Sequence, residues 1–365
     1  DNAFAGCSSL SQVTIEGNGE DYVIGSEAFL NSGLSELTIG ARVRKIGDRA
    51  FANTSLTEFT LPEGLTEIGE NIFAGVTTLK KLIVPASFSL KDVKLAGNLF
   101  NGVNVEFAAN SQFKNEGGIL YSADGSIVYG VIDNTLQEVS LPDTVTEIYD
   151  YAFEGSNVNG VVIPDSVQKI GKGAFKNSKL SSITFSGNSN IEEIADETFR
   201  GSRLLEIELP YSVKSIGEYA FAQTLLTNIS LGNNVSSVGA YAFQYCERLA
   251  SATIPASVKE IGDYAFRSCA ALKTLEIPAV QRMGTGVFAD NSSLQSVVFG
   301  ADAETAGTYT FIGCSALKEV TIGGKTSEIG ASLFTTRAGY YGQSRRSSLQ
   351  KVTLGESVKT IGASA

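Results

Sequence analysis

The 365-residue chain has no histidine and no tryptophan, and it holds only one methionine, four cysteines and seven prolines. Without histidine, Ser-His-Asp and Cys-His catalysis are excluded in their usual forms, and so are zinc sites with histidine ligands. No stretch approaches the roughly 18 consecutive apolar residues of a membrane span. We therefore expect no enzyme, no catalytic residue, no metal, no cofactor and no membrane insertion.

Basic residues are also scarce, because 28 lysines and arginines face 39 acidic residues, for a formal net charge of −11. A chain of this charge repels phosphate backbones, so nucleic acid is not an expected partner. Apolar residues make up 43% of the chain, which is enough material for a long core. The excluded classes leave binding and structural roles.

One phrase of the sequence recurs along the chain, and its clearest copy is SVKEIGDYAFRSCAALKTLEIP, from Ser257 to Pro278. The copies align on a phenylalanine, and most neighbouring copies are about 22 to 24 residues apart, a period typical of leucine-rich repeats. The repeat phenylalanines are Phe4, Phe29, Phe51, Phe73, Phe100, Phe153, Phe175, Phe199, Phe221, Phe243, Phe266, Phe288, Phe311 and Phe334. The repetition indicates a solenoid in place of separate globular domains.

Each copy contains two short apolar patterns. The pattern L-x-x-I-x-I, as in Leu272, Leu275 and Ile277, alternates with a period of two and predicts a strand with one buried face. The pattern V-x-x-I-G, as in Val258 to Gly262, predicts the opposite wall of a coil, with its glycine at a positive φ or a close backbone approach. We predict a mainly β, right-handed coil of about fourteen repeats with short parallel strands.

The phrase I-G-x-x-A-F-x-x-C, present at Ile261 to Cys269, resembles the BspA-like, or Treponema-pallidum-type, leucine-rich repeats of bacterial surface proteins. The resemblance covers almost the whole chain. It implies a surface or secreted protein, and several members of the family are implicated in adhesion to host matrix proteins or to other cells. The expected location is therefore extracellular or at the cell surface.

The repeat pattern breaks at two places. Residues 108–135 contain two apolar runs on either side of Ala123-Asp124-Gly125, and the Asp-Gly pair predicts an inserted β-hairpin. Residues 335–348 form a second insertion, which we interpret as a loop. We predict that 1–365 is a single solenoid carrying both insertions, and a monomeric fragment of a longer array.

Two sets of residues are candidates for ligand binding. The loop insertion gathers arginine and tyrosine, which are enriched at binding hot spots, although a solvated loop is the alternative: Arg337, Tyr340, Tyr341, Arg345 and Arg346. The outward positions of the L-x-x-I-x-I strands form a column rich in hydroxyl and β-branched side chains, which strand preference alone also favours: Thr184, Glu208, Ser230, Thr253 and Glu276.

Tyrosines form a third column, two residues before the repeat phenylalanine, at Tyr219, Tyr241, Tyr264 and Tyr309. Stacked phenol rings in such a column would bind sugars or protein, or would only pack coil against coil.

The cysteines Cys7, Cys246, Cys269 and Cys314 share a position with serine and threonine in other copies, which favours small, buried packing residues. A disulfide between Cys246 and Cys269, on adjacent coils, is the alternative.

We expect the chain to be an adhesive module that binds a host or bacterial surface protein or a glycan through an extended face. A structural spacer that presents another domain is one alternative. A carbohydrate-active enzyme is the other, and it would have to use a carboxylate pair such as Glu206 and Glu208, expected on one strand face.

Overall fold

The structure is a computed structural model, and it describes residues 1–16, 19–88, 105–108, 111–334 and 348–365, together with the backbone of 94–95. These residues fall into two compact units, Asp1–Leu136 and Gln137–Ala365, which are described separately. Each unit has the repeat fold of a β-solenoid, and the two units together contribute about 13 turns of about 22 residues each. The described residues contain short parallel strands and turns but no helix, which confirms the predicted repeat solenoid. Whether 1–365 forms one solenoid stays a prediction.

The first unit contains twelve strands in chain order. They are β1 Gln12–Ile15, β2 Tyr22–Ile24, β3 Glu36–Ile39, β4 Val43–Ile46, β5 Glu58–Thr60, β6 Glu67–Ile68, β7 Lys81–Val84, β8 Lys94–Leu95, β9 Val105–Phe107, β10 Phe113–Glu116, β11 Ile119–Ser122 and β12 Ile127–Val131. The L-x-x-I-x-I strands pair in parallel as β1–β3 and β5–β7–β9, and the V-x-x-I strands pair as β2–β4–β6–β8.

The second unit contains the remaining strands. They are β13 Glu138–Ser140, β14 Glu147–Ile148, β15 Gly160–Ile163, β16 Lys169–Ile170, β17 Ser182–Phe185, β18 Glu193–Ile194, β19 Ser215–Ile216, β20 Asn228–Ser230, β21 Ser237–Val238, β22 Ser251–Thr253, β23 Glu260–Ile261, β24 Thr274–Ile277, β25 Arg282–Met283, β26 Ser296–Phe299, β27 Glu319–Ile322, β28 Glu328–Ile329, β29 Lys351–Leu354 and β30 Thr360–Ile361. Strands of the same type again pair in parallel, for example β24–β26–β27–β29 and β18–β19–β21–β23–β25.

The repeat phenylalanines stack within each unit, and most of them lie in its core. In the second unit the Phe221 ring lies 5.2 Å from the Phe199 ring and 5.1 Å from the Phe243 ring, centroid to centroid, and all three side chains are fully buried. Phe4, Phe29, Phe51 and Phe73 stack in the same way in the first unit. Phe100 lies outside the described residues.

The turn that carries the phenylalanine is itself a hydrogen-bonded ladder. The backbone N–H groups of Tyr219, Phe221 and Gln223 each donate to a carbonyl of the next coil, at 3.0, 2.7 and 2.8 Å. The residues two before and two after the phenylalanine have positive φ, for example 54° at Tyr219 and 62° at Gln223. The left-handed residues allow alternate N–H groups to point at the neighbouring coil. Hydrogen bonds between coils therefore stabilise the whole turn.

The glycine of V-x-x-I-G permits a close approach and does not adopt a positive φ. A Cβ added to Gly239 would lie 2.6 Å from the carbonyl carbon of Gly217 on the preceding coil. The sequence predicts either a positive φ or a close backbone approach as the reason for this glycine, and the structure shows the close approach.

The predicted hairpin in 108–135 is present, and it has a third strand. β11 pairs antiparallel with β12, and β10 pairs antiparallel with β11. Gly117 and Gly118 connect β10 to β11 with φ values of 59° and 82°, as a two-residue hairpin turn requires. The predicted Asp-Gly turn connects β11 to β12, where the Asp124 carboxylate accepts hydrogen bonds from the Ser122 hydroxyl at 2.6 Å and from the Ser126 N–H at 2.9 Å.

Candidate functional site

The strand face is the exposed side of the L-x-x-I-x-I strands in the second unit, and it carries most of the predicted column. Ser230 lies opposite Thr253 in the β20–β22 pair, and Thr184 of β17 lies opposite Val162 of β15. Glu276 begins a longer row in which Val298, Thr321 and Thr353 follow in register. The parallel register therefore aligns the outward side chains along the stack, about 4.8 Å from one strand to the next.

Glu208 differs from the rest of the column, because 203–209 forms no strand. The expectation that Glu206 and Glu208 share one strand face is therefore wrong. Glutamate is disfavoured in strands, and two carboxylates that project from the same face repel each other. Both residues are exposed to solvent, so the segment shows no enclosed acid and base pair.

The predicted loop residues Arg337, Tyr340, Tyr341, Arg345 and Arg346 lie outside the described residues. The coils on either side of them are described. The Phe334 ring stacks on Phe311, and β29 pairs with β27 so that Lys351 lies opposite Glu319. The solenoid register is thus kept across this insertion, and the role of the five side chains stays a prediction.

The tyrosine edge, defined as Tyr219, Tyr241 and Tyr264, is a stack on the turn side of the second unit. The ring centroids of Tyr219 and Tyr241 are 4.7 Å apart with an interplanar angle of 5°, and those of Tyr241 and Tyr264 are 5.5 Å apart at 16°. Partial burial raises the pKa of the Tyr241 phenol, and the neighbouring phenols raise it further. The predicted alignment of these three tyrosines is therefore present.

Arginines close both ends of this stack. The Arg200 guanidinium carbon lies 4.8 Å from the Tyr219 ring centroid, and that of Arg267 lies 5.5 Å from the Tyr264 centroid. Tyr264 also lies against Gly286 of the next coil, where an added Cβ would overlap the ring. Because the ring faces are covered by other rings, guanidinium groups or backbone, a sugar has no free face of these three tyrosines to stack on. A partner instead meets ring edges and hydroxyl groups.

Each capping arginine also forms an ion pair. Arg200 lies 3.0 Å from the Glu197 carboxylate, which also pairs with Lys176 at 2.6 Å, and Arg267 lies 3.0 Å from Asp290. Burial raises the pKa of Glu197, but hydrogen bonds and charge from Lys176 and Arg200 outweigh it and hold the pKa below its usual value. These ion pairs were not predicted from the sequence. The available signal was that both arginines occupy the same position of the repeat, directly after the repeat phenylalanine.

Three of the four cysteines are buried packing residues, as the sequence predicts, and the alternative disulfide between Cys246 and Cys269 is not formed. All four are free thiols, and Cys246, Cys269 and Cys314 are buried. The Cys246 thiol donates to the Phe221 carbonyl at 3.1 Å and lies 3.2 Å from the Thr224 hydroxyl. Burial raises the pKa of Cys246 to about 11 and that of Cys314 to about 12. Within the described ranges, no group of three or more metal-ligating side chains is found.

In the part of the chain that the structure describes, no helix has the length and apolar character needed to cross a bilayer.

The solved structures with similar folds are bacterial leucine-rich repeat proteins. A leucine-rich repeat protein of Eubacterium ventriosum is 22% identical, with a TM-score of 0.54, and the match covers 81% of this chain and 80% of that one. The pneumococcal vaccine antigen PcpA is 19% identical over 96% of this chain and 79% of its own, with a TM-score of 0.46. The T. pallidum leucine-rich repeat protein TpLRR is 24% identical over 61% of this chain and 86% of its own, with a TM-score of 0.32. The first likeness supports the fold, and the TM-scores of the other two are too low to add to it.

No curated protein matches the sequence. The sequence does match a family model, the BspA type leucine-rich repeat region, in six copies that cover residues 1–107, 132–250 and 214–341. The matched ranges include both strand ladders and the stacked phenylalanine turns described above. Because they span well over half of the chain, this protein belongs to the BspA-type leucine-rich repeat family.

Proposed function

We propose that the chain is a cell-surface or secreted protein that mediates adhesion by binding a protein or a glycan through its strand face. The proposal rests on the register of that face. Ser230 lies opposite Thr253, and Glu276 lies opposite Val298, so exposed side chains are aligned on neighbouring coils. Solenoids use such extended faces to bind partners, since a row of aligned side chains contacts a ligand at many points.

The surface chemistry of the face supports binding rather than mere spacing. Ser230, Thr253 and the neighbouring Asn228 and Ser251 offer hydrogen-bonding groups without charge, and Val298 adds an apolar side chain that is 42% exposed. Hydroxyl and apolar groups side by side suit either a glycan or a protein partner, because both present hydroxyl or amide groups beside apolar patches. The net charge of −11 disfavours nucleic acid on electrostatic grounds.

Binding of the isolated chain to immobilised host matrix proteins and glycans, at physiological salt, tests the proposal. An unrelated capped solenoid serves as the control for nonspecific adsorption. Saturable and selective binding is the expected result. Absence of binding across the array would contradict the proposal and favour the structural spacer.

A variant of the loop separates the two sites predicted from the sequence. If binding resides in the insertion, the Tyr340→Ala, Tyr341→Ala, Arg345→Ala and Arg346→Ala substitutions together abolish it. If binding resides on the strand face, the same four substitutions leave it unchanged.

A further inference from the structure

The fold does not require tyrosine in the tyrosine edge. The same turn position in the first unit is occupied by Asn2, Glu27, Arg49 and Asn71, all with φ between 52° and 57°. Tyr219, Tyr241 and Tyr264 adopt the same left-handed conformation, with φ between 54° and 57°. Asparagine is enriched several-fold in this region, whereas a bulky side chain there is an outlier. The three tyrosines therefore occupy positions for which asparagine is the better residue.

Stacking offsets part of that conformational cost. An aromatic pair contributes about 0.5–1.5 kcal/mol beyond the area it buries. The stack ends in Arg200 and Arg267, whose charges are matched by Glu197 and Asp290 in the ion pairs already described. Stacking therefore explains why tyrosine is tolerated, but it leaves the half-exposed row of hydroxyl groups and ring edges without a structural role.

Two carboxylates, Glu218 and Asp263, lie near the stack and act on the Tyr241 phenol through their charge. Glu218 directly precedes Tyr219, and Asp263 directly precedes Tyr264, and both are exposed. Asp263 accepts a hydrogen bond from the Thr285 N–H at 2.7 Å. Among the described residues, neither Glu218 nor Asp263 forms a salt bridge, whereas Arg200 and Arg267 on the same stack are paired with Glu197 and Asp290.

We propose that the tyrosine edge, together with Glu218 and Asp263, is a second docking surface, and that its partner is a basic, extended segment of another protein. Tyrosine supplies large contact area at low entropic cost and is enriched at protein interfaces. The two carboxylates select lysine or arginine by charge complementarity. A neutral glycan would need the ring faces that the stack covers, and an anionic partner would be repelled.

The geometry also sets the spacing of the basic residues in the partner. Glu218 and Asp263 lie two coils apart, about 9.6 Å at about 4.8 Å for each coil. An extended segment in the polyproline II conformation has three residues per turn and rises about 3.1 Å for each residue, so side chains three positions apart share a face and lie about 9.3 Å apart. The edge therefore fits a segment with two basic residues three positions apart, and with the residues between them packed on the tyrosine edges.

This surface is separate from the strand face, because it lies on the turn that follows the V-x-x-I strands. Binding through one surface can therefore be absent while binding through the other is present. Substitutions confined to each surface distinguish the two proposals.

The test uses energy transfer, because the chain contains no tryptophan. The probe is a decapeptide with one tryptophan and two arginines three positions apart, and transfer from protein tyrosine to peptide tryptophan reports binding. A peptide with glutamate in place of both arginines is the charge control. We expect saturable binding of the arginine peptide that weakens as salt is raised, and at least about a tenfold weaker binding of the glutamate peptide.

Two variants locate the site. The triple substitution Tyr219→Asn, Tyr241→Asn and Tyr264→Asn installs the residue that the first unit uses at this position, so the turn is expected to fold. Because this variant removes the stacked donors, its binding is measured by anisotropy of a dye-labelled arginine peptide. The double substitution Glu218→Gln and Asp263→Asn removes charge alone, and far-UV circular dichroism confirms folding in both cases.

Each variant is expected to weaken binding of the arginine peptide at least tenfold, whereas Thr253→Val on the strand face leaves it unchanged. The proposal is overturned if the wild type shows no saturable binding, if the glutamate peptide binds equally well, or if both variants bind like the wild type.

Discussion

Gly239 lies directly against the backbone of Gly217, so that a Cβ on Gly239 would stand 2.6 Å from the Gly217 carbonyl carbon and 2.8 Å from the Glu218 nitrogen. The neighbours are backbone atoms, which cannot move without shifting a whole coil. This glycine therefore sets how closely two coils approach.

Gly239→Ala is accordingly expected to lower the free energy of unfolding by about 1–3 kcal/mol, the usual range for overpacking. Urea denaturation followed by circular dichroism measures the change. Gly232→Ala is the matched control, because an added Cβ there meets nothing within 4 Å. The close-approach explanation fails if the two alanine variants are equally stable.

Phe221→Ala is expected to remove one step of the stacked phenylalanine core. Its ring is fully buried between Phe199 and Phe243, so truncation leaves a cavity and costs about 3–5 kcal/mol. Val298→Ala, at a side chain that is 42% exposed, should change stability by less than about 0.5 kcal/mol. Equal effects in the two variants, measured by urea denaturation, would contradict the role of the stack.

The four thiols are expected to differ in reactivity. Burial raises the pKa of Cys246, Cys269 and Cys314, so little thiolate forms at pH 8, whereas Cys7 is exposed. A thiol reagent such as DTNB should titrate one cysteine in the native protein and four in guanidinium chloride. Cys7→Ser should leave none reactive before unfolding. Rapid native reaction of a second thiol would show that the cysteine column opens.

Asp124 is expected to titrate well below an ordinary aspartate. Hydrogen bonds from Ser122, and then from the Ser126 backbone and side chain, lower its pKa from 3.8 to about 2. Its contribution to stability is therefore fully present above about pH 3.8 and is lost as the pH falls through about 2. Carbon-detected NMR titration of the carboxyl measures this directly, and a midpoint near 3.8 would argue against the turn hydrogen bonds.

The periodicity of the sequence predicts most of the fold. Repeat phenylalanines such as Phe221 and alternating runs such as Leu275–Ile277 mark buried positions, because only stacked coils bury them on every turn. β10 was missed because Lys114, Asn115 and Glu116 carry no apolar alternation, although Gly117-Gly118 was an available turn signal.

Contacts between coils were harder to predict than the coils themselves. Several aspartates accept a hydrogen bond from a backbone N–H group about one repeat ahead in the chain. The pairs are Asp263 with Thr285, Asp150 with Lys172 and Asp196 with Glu218. These bonds, like the arginine caps on the tyrosine edge, depend on the register between coils and on side-chain rotamers. The sequence pattern specifies neither the register between coils nor the rotamers. The side-chain contacts around the candidate site could therefore be identified only from the structure.

The most direct test of the proposed function compares the wild type with a Ser230→Lys, Thr253→Lys double variant on the same array of host matrix proteins and glycans. The two exposed positions face solvent, so the variant is expected to fold normally. The account predicts saturable, selective binding by the wild type and its loss in the variant. Equal binding by both proteins, or no binding by the wild type, would contradict the assignment of the strand face as the adhesive surface.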